Sequence, residues 1–445
     1  MDRLVIQGGT QLHGDVCVDG AKNAALPAMA ATLAVRGDVR LRNVPDLVDV
    51  STMTQLLQSL GADVDRTVSG EVLITTGKAE RWVADYELVR RMRASICVLG
   101  PLLARFGKAR VSLPGGCNIG HRPIDLHLKG LAALGADLRM EAGYVVAEAR
   151  QLHGADMFLG GPHGSTVTGT CNVMVAACLA QGRSVIRGAA CEPEVVDLGR
   201  FLMASGADID GLGTPVLEIN GVEELCGCSY GILPDRIEAA TFAIAAAATR
   251  GEIRIHQARR EDLASIIEVL QTMGVLVTST ESGLHVSAPE SLSPVSLTAL
   301  PYPGIPTDTQ AQFMALLSTV EGTSVIRDAV FPDRFMHASE LLRMGARIRR
   351  ETGAAIVEGG QRLTGASVMA SDLRASAALV IAAMAADGES QIHRIYHLDR
   401  GYAGLERKLA GLGAGVCRVS DNNGLEPMTG TNPVRRDASA ARPVV

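Results

Sequence analysis

Aromatic side chains are scarce in this 445-residue chain, where Phe, Trp and Tyr together make up only 3% of the residues. Hydrophobic residues nevertheless reach 47%. The core must therefore be built mainly from aliphatic and small side chains, which allow helices to pack closely. The chain is long enough for two or three domains with a large buried core.

Long apolar runs, basic runs and regularly paired cysteines are also missing. No stretch reaches the ~18 apolar residues of a transmembrane helix, and the start MDRLVIQGG lacks the order of a signal peptide. A net charge of −6 without a Lys/Arg run argues against a nucleic-acid or membrane surface. Nine cysteines without a C-x-x-C pair argue against a disulfide framework or a structural zinc site. We therefore expect a cytoplasmic protein.

One pattern of helix end, glycine and strand recurs six times along the chain. Between these copies lie six Ala-rich apolar helices, each ending in Gly before a strand. The pattern predicts an α/β fold of six repeats, each with a buried helix and an amphipathic outer helix. The shared glycines, 68 to 74 residues apart, are Gly61, Gly135, Gly206, Gly274, Gly345 and Gly413.

Six such copies cannot share one small core, so we expect two domains of three repeats each. The first covers residues 22–231. The second covers residues 232–420 together with residues 1–21 as a returning strand. The tail 421–445 lacks apolar periodicity and is rich in Pro, Asn, Arg and Ala, so we expect it to be disordered.

Polar and charged residues precede the six buried helices. Helix N-termini carry unpaired N–H groups and a partial positive charge, so converging starts would form an anion site. Asp and Ser at such points also act as N-caps, and both interpretations stay open for Asp235 and Ser371. Lys22, Arg93 and Arg374 are not capping residues, and their presence is better explained by an anionic ligand or by a neighbouring carboxylate.

The loop LPGGCNIGHRP carries Cys117 and Arg122 beside the flexible pair Gly115 and Gly116. A thiol near a cation can be partly ionised and can act as an acid or a nucleophile. An inert, partly exposed cysteine is the alternative.

Long motifs of the sequence resemble the UDP-N-acetylglucosamine enolpyruvyl transferase family over residues 1 to about 420. The motifs are GAKNAALPA, MRASI, LPGGCNIGHRPIDLHLKGL, EPEVVDL, LPDRIE, PTDTQAQF, VFPDRFMH, DLRASAALV and RIYHLDRGY. The resemblance implies two inside-out α/β barrel domains, each of three βαβαββ repeats. It implies phosphoenolpyruvate and a uridine nucleotide as substrates, with no metal and no cofactor.

The resemblance also implies roles for individual residues. Cys117 matches the loop cysteine that forms an adduct with phosphoenolpyruvate, protonates its methylene carbon and is alkylated by the epoxide fosfomycin. Asp308 is the candidate base, and Asp372 is an active-site group at an opposing helix start. The expected phosphoenolpyruvate-binding residues are Lys22, Arg122, Arg400 and Arg374. The expected acceptor-binding residues are Asn23, Arg93, Pro123, Ile124, Asp125, Leu126, His127, Asp308, Val330 and Phe331. Among them the segment 123–127 resembles the one that cradles uracil, and Phe331 resembles the loop residue that stacks near the sugar.

Two segments depart from the family pattern near its diphosphate and closing-loop region. NVPDLVDV has Val48 where a second Lys is common, and GGPHGSTVTGT has only His163 as a possible cation. The acceptor is therefore expected to be UDP-N-acetylglucosamine, with UMP as the alternative. A binding scaffold without catalysis is the alternative from another class, and it predicts no convergence of Cys, Lys, Arg and Asp.

Overall fold

A computed structural model describes residues 2–67, 70–77, 79–115 and 124–420. The predictions for Cys117, Arg122, Pro123 and the tail 421–445 therefore lie outside the described residues. No helix of the described part is long and apolar enough to cross a bilayer.

The strands are, in chain order, β1 Arg3–Gln7, β2 His13–Cys17, β3 Val35–Arg36, β4 Asp38–Arg42, β5 Asp63–Arg66, β6 Val72–Thr75, β7 Val83–Ala84, β8 Lys108–Ser112, β9 Asp137–Glu141, β10 Tyr144–Glu148, β11 Asp156–Phe158, β12 Gly160–Gly161, β13 Gly164–Ser165, β14 Arg183–Arg187, β15 Asp208–Asp210, β16 Val216–Asn220, β17 Leu225–Cys226, β18 Ser229–Gly231, β19 Glu252–His256, β20 Leu276–Thr280, β21 Gly283–Ser287, β22 Leu297–Ala299, β23 Gly322–Asp328, β24 Arg347–Glu351, β25 Ala354–Gly359, β26 Ser367–Met369, β27 Glu389–His393 and β28 Gly415–Val419.

The helices are α1 Lys22–Ala31, α2 Val48–Ser59, α3 Tyr86–Val89, α4 Leu99–Phe106, α5 Asp125–Ala133, α6 Val167–Cys178, α7 Pro193–Ala204, α8 Arg236–Ala248, α9 Ala264–Thr272, α10 Gln310–Ser318, α11 His337–Arg343, α12 Leu373–Ala385 and α13 Leu405–Gly411. Short 3₁₀ segments cover Thr32–Ala34, Arg93–Val98, Arg260–Leu263, Thr307–Thr309 and Ile395–Arg400.

The described part of the chain forms six four-stranded sheets that share one topology. In each, one parallel pair is followed by two antiparallel pairs, as in β7-β8-β10-β9 and β22-β23-β25-β24. Adding the two helices of each unit gives six βαβαββ repeats, and the α/β fold predicted from the sequence is confirmed. The start of the chain supplies two strands rather than one, because β1 pairs with β27 and β28 while β2 pairs with β19.

The inner helices are buried around their whole circumference. Every residue of α8 and of α10 is buried. The outer helix α9, in contrast, buries only the stripe Ile266, Ile267 and Leu270. Buried hydrophobic side chains form two separate clusters, one within residues 21–233 and the other from residues 4–18 and 239–414.

The recurring glycines hold a backbone conformation that other residues rarely adopt. All six glycines that follow the outer helices have φ between 90° and 103°. Of the glycines predicted to end the inner helices, Gly107 is the C-cap of α4, with φ 66°. The others with positive φ lie beyond the last helical residue; they are Gly37, Gly182, Gly322 and Gly388. At the end of α8 the prediction is wrong. There the left-handed residue is Arg250, with φ 56°, rather than Gly251. Arg250 donates from Nη1 to the carbonyl of Ala247 at 2.7 Å and so satisfies the end of α8.

Gly411 and Gly413, at the end of α13, allow the effect of backbone conformation to be measured without a steric effect. A Cβ at either position would meet nothing within 4 Å. Gly413 has φ 90°, so Gly413→Ala should lower the free energy of unfolding by about 1–2 kcal/mol. Gly411 is helical, so Gly411→Ala should raise it by about 0.5–1 kcal/mol. Chemical denaturation of both variants checks this, and changes of the same sign would contradict the conformational explanation.

Candidate active site

A buried carboxylate joins cations from the two ends of the chain. Lys22, the first residue of α1, donates from Nζ to Asp49 Oδ2 at 3.1 Å. Arg400 donates from Nε to the other oxygen, Asp49 Oδ1, at 2.9 Å. Lys22 is 9% exposed and Asp49 is 3% exposed. The pair therefore brings together two predicted phosphoenolpyruvate ligands that are far apart in sequence.

Burial lowers the pKa of Lys22, and the nearby positive charges of Arg374 and Arg400 lower it further. The Asp49 carboxylate acts in the opposite direction. The geometric link between the two repeat sets is the ion pair of Asp49 on α2 with Arg400, which follows β27. The convergence of helix starts expected from the sequence stays a prediction.

A second carboxylate, Asp308, lies between two arginines. Arg374 Nη2 donates to Asp308 Oδ2 at 2.9 Å, and Arg334 Nη1 donates to Asp308 Oδ1 at 2.8 Å. Burial favours protonation of Asp308, but the two guanidinium groups outweigh it and hold the pKa well below its usual range. Asp308 is therefore fully ionised and, in this arrangement, a weak base.

Asp372 and Asp235 both cap inner helices. Asp372 Oδ1 accepts hydrogen bonds from the backbone N–H groups of Arg374 at 2.9 Å and Ala375 at 3.2 Å. Asp235 Oδ1 does the same for the start of α8. The hydrogen bonds of Asp235 therefore fit the capping interpretation that the sequence left open. Ser371, in contrast, does not cap α12. Its hydroxyl donates instead to Asp372 Oδ2 at 3.2 Å.

The predicted uracil segment forms the start of α5, a surface helix. Ile124 is buried and Asp125 is exposed, while Leu126 is partly buried. His127 is buried and turned towards α6, where its ring nitrogens lie 3.1 Å from Thr168 Oγ1 and 3.0 Å from Asn172 Nδ2. These contacts fix α5 against α6, and a role of His127 in binding uracil stays a prediction.

The predicted acceptor-binding residues Val330 and Phe331 are connected to the Asp308 cluster. Asp328 Oδ1 accepts from their backbone N–H groups at 3.0 and 2.7 Å. Its other oxygen accepts from Thr307 Oγ1 at 2.6 Å, and Thr307 accepts in turn from Arg334 at 3.1 Å. The loop after β23 is therefore fixed to the same arginine that binds Asp308.

The two remaining predicted residues begin inner elements of the first repeat set. Asn23 follows Lys22 in the first turn of α1, and Arg93 begins the segment Arg93–Val98; both are partly exposed. Sequence reasoning missed Asp49 and Arg334. The Arg334 side chain lies within the quoted motif VFPDRFMH, so the motif carried a signal, whereas Asp49 was visible only as part of a segment that departs from the family.

The solved structures similar to this one are enolpyruvyl transferases. The enolpyruvyl transferase NikO from Streptomyces tendae has a TM-score of 0.85, with 26% identity over 94% of this chain and 98% of its own. An EPSP synthase from Acinetobacter baumannii has a TM-score of 0.72 at 18% identity, covering 94% of this chain and all of its own, and shows the fold alone. The fold is that of the enolpyruvyl transferases.

Sequence comparison identifies the family. The model of the EPSP synthase (3-phosphoshikimate 1-carboxyvinyltransferase) family matches residues 6–409, and the chain belongs to this family of carboxyvinyl transferases. A UDP-N-acetylglucosamine 1-carboxyvinyltransferase from Methylacidiphilum infernorum is 50% identical over 419 residues, 94% of this chain and 99% of the relative. One from Geobacter metallireducens is 51% identical over 421 residues, 95% of this chain and 100% of the relative.

Substitution of Asp372 separates capping from chemistry. Asp372→Ala should cost about 1 kcal/mol of stability, whereas Asp372→Ser keeps a capping oxygen and should cost less than about 0.5 kcal/mol. Serine lacks the carboxylate charge, so we expect Asp372→Ser to lower turnover by roughly 10²-fold. Thermal unfolding and steady-state turnover check both effects. Wild-type turnover in the stable serine variant would limit Asp372 to capping.

Proposed function

We propose that the protein transfers the enolpyruvyl group of phosphoenolpyruvate to the 3-hydroxyl of the sugar in UDP-N-acetylglucosamine and releases phosphate. The observation that carries the proposal is the contact between the two repeat sets through the buried Asp49, which binds both Lys22 at the start of α1 and Arg400 of the other set. Relatives that are 50–51% identical over nearly their whole length are named for this acceptor, and they support the choice of substrate.

Phosphoenolpyruvate carries a carboxylate and a phosphate on neighbouring atoms, so it requires several cations in a small volume. We assign Lys22, Arg400 and Arg374 to this task, with Arg122 added from the loop outside the described residues. In the described structure these three cations pair with only two carboxylates, Asp49 and Asp308. These carboxylates keep the cations in place, and the carboxylate and phosphate of the substrate compete with them for the same cations.

The reaction is an addition followed by an elimination. The acceptor oxygen bonds to C2 of phosphoenolpyruvate while C3 takes a proton, which we assign to Cys117. Loss of a proton from C3 then expels phosphate from C2 and restores the double bond. The low pKa of Asp308 suits proton uptake late in the addition, because the attacking hydroxyl becomes strongly acidic as its bond to C2 forms.

The two separate hydrophobic cores support a division into two domains, residues 22–231 and residues 1–21 with 232–420. The site then lies in the cleft between them, where closure excludes water from the reacting groups. The place of action that fits these substrates is the cytoplasm, where phosphoenolpyruvate and nucleotide sugars are both formed.

The charge on Lys22 gives a test based on pH. Asp49→Asn removes the carboxylate that supports the Lys22 ammonium, so the already lowered pKa of Lys22 should fall further. A group with a lowered pKa loses its proton at lower pH, so the KM for phosphoenolpyruvate should begin to rise at lower pH in the variant. KM measured from about pH 6 to about pH 10 checks this.

The matched control is Asp46→Asn, three residues earlier, where an exposed carboxylate pairs with Arg66 at 3.0 Å. That variant should keep the wild-type pH profile of KM. Superimposable profiles for Asp49→Asn and wild type would show that Asp49 does not control the charge of Lys22.

The acceptor is tested by phosphate release with phosphoenolpyruvate and either UDP-N-acetylglucosamine or UMP. UMP is included because Val48 stands 51% exposed at the start of α2, where the family often has a lysine. We expect turnover with UDP-N-acetylglucosamine. Turnover with UMP alone would reject this acceptor while keeping the transfer, and phosphate release without either acceptor sets the background.

A further inference from the structure

One buried tyrosine lies behind the predicted site and has no assigned role. Tyr402 is 2% exposed and follows the 3₁₀ segment Ile395–Arg400. Its hydroxyl lies 2.8 Å from Thr241 Oγ1 on α8 and 3.0 Å from Nη1 of Arg374 on α12. Gln312 on α10 approaches the same hydroxyl at 3.4 Å. The hydroxyl therefore lies where the three inner helices of the second repeat set meet.

The direction of each hydrogen bond in this group follows from its chemistry. The hydroxyl of Thr241 donates to the carbonyl of Ile237 at 2.8 Å, so its oxygen is left to accept. Tyr402 consequently donates its single proton to Thr241. Arg374 can only donate, and it donates to the lone pairs that Tyr402 has left. One chain of donated hydrogen bonds thus runs from Arg374 through Tyr402 and Thr241 to a helix carbonyl. Gln312 Nε2 donates to two members of this chain, to Tyr402 at 3.4 Å and to Thr241 at 3.3 Å.

The other side of the Arg374 guanidinium binds Asp308, the candidate base. Nη2 of Arg374 donates to Asp308 Oδ2 at 2.9 Å, while its Nε has no hydrogen-bond partner in the described part of the chain. Two contacts therefore fix the guanidinium plane: Tyr402 behind it and Asp308 in front. The ring of Tyr402 also lies against Arg374, with 5.4 Å between the guanidinium carbon and the ring centroid.

We propose that Tyr402 is a positioning residue, whose hydroxyl orients the Arg374 guanidinium and through it the carboxylate of Asp308 for enolpyruvyl transfer. The proposal rests on the roles given above to Arg374 and Asp308. Tyr402 is 2% exposed, so it acts through Arg374. Its hydroxyl binds Nη1 while Asp308 binds Nη2, and loss of one of these two contacts leaves the guanidinium free to turn. Misplacement of reacting groups by about 1 Å can cost 10²-fold in rate.

Tyr402→Phe keeps the ring and removes only the hydroxyl. We expect kcat to fall about tenfold or more, while KM for each substrate changes less than about threefold, because the charged groups remain present but are misaligned. Thr241→Val removes the acceptor for the tyrosine proton and should lower kcat in the same way. Thr241→Ser restores a hydroxyl and should return kcat to near the wild-type value.

The matched control is Tyr230→Phe. Tyr230 is a partly buried tyrosine, and its hydroxyl donates to Asp197 Oδ1 at 2.7 Å, in the first repeat set. This variant should lose stability as Tyr402→Phe does, yet keep the wild-type kcat. A kcat for Tyr402→Phe within about twofold of wild type, or a Thr241→Ser variant as impaired as Thr241→Val, would overturn the proposal.

A crystal structure of Tyr402→Phe supplies a readout that does not depend on turnover. The bond between Arg374 Nη2 and Asp308 should be lost or lengthened beyond hydrogen-bond distance, and an unchanged bond contradicts the proposal. If Tyr402→Phe does not fold, the same measurement on Thr241→Val decides. Absence of wild-type turnover with both acceptors would instead reject the proposed function, so the two failures are distinguishable.

Discussion

A helix that is apolar around its whole circumference must be covered on every side, and this requirement organises the molecule. Three such helices in each repeat set pack on one another, and sheets and outer helices enclose them. The backbone bonds of a buried helix are satisfied internally except at its ends. The starts of the inner helices are therefore the natural places for polar and charged groups, and Lys22, Asp308 and Asp372 all occur there.

The charges at these starts occur in groups rather than singly. Asp49 pairs with Lys22 and Arg400, and Asp308 pairs with Arg334 and Arg374, so each carboxylate serves two cations. A buried cation without a counter-charge would lose its proton or destabilise the fold. The internal carboxylates therefore keep the cations charged and ordered before a substrate binds. The affinity of the site for an anionic substrate then depends on how easily the substrate displaces these carboxylates from the cations.

Much of the fold could be predicted from the sequence because each repeat carries its own local signals. The glycines that follow the outer helices need φ near 90°, and their spacing alone gives the number of repeats. The two-residue strands β3, β7, β12, β13 and β17 have no such signal, since two residues show no periodicity. Arg250 was missed because its side chain, rather than a glycine, satisfies the helix end.

The candidate site was predicted less completely, for a physical reason. Lys22 and Arg374 could be found because cations are unusual at a helix start, but Asp49 becomes important only through a contact with Arg400, 351 residues later. Tyr402 is a similar case, since nothing near it in sequence indicates that Thr241 and Arg374 will surround its hydroxyl. Contacts between repeats are set by the packing of the helices, which local sequence patterns do not encode.

The pairing of β1 has a consequence for synthesis on the ribosome. The sheets built from residues 22–231 need no later segment, because β18 supplies the last strand of the first one. The first strand made, β1, pairs with β27 and β28, so Leu4 must wait for Ile392 and Arg418. At about 5–20 residues per second this delay is on the order of 20–80 s. During that time the nascent chain contains the complete sheets of residues 22–231, while β1 still lacks its partner strands β27 and β28.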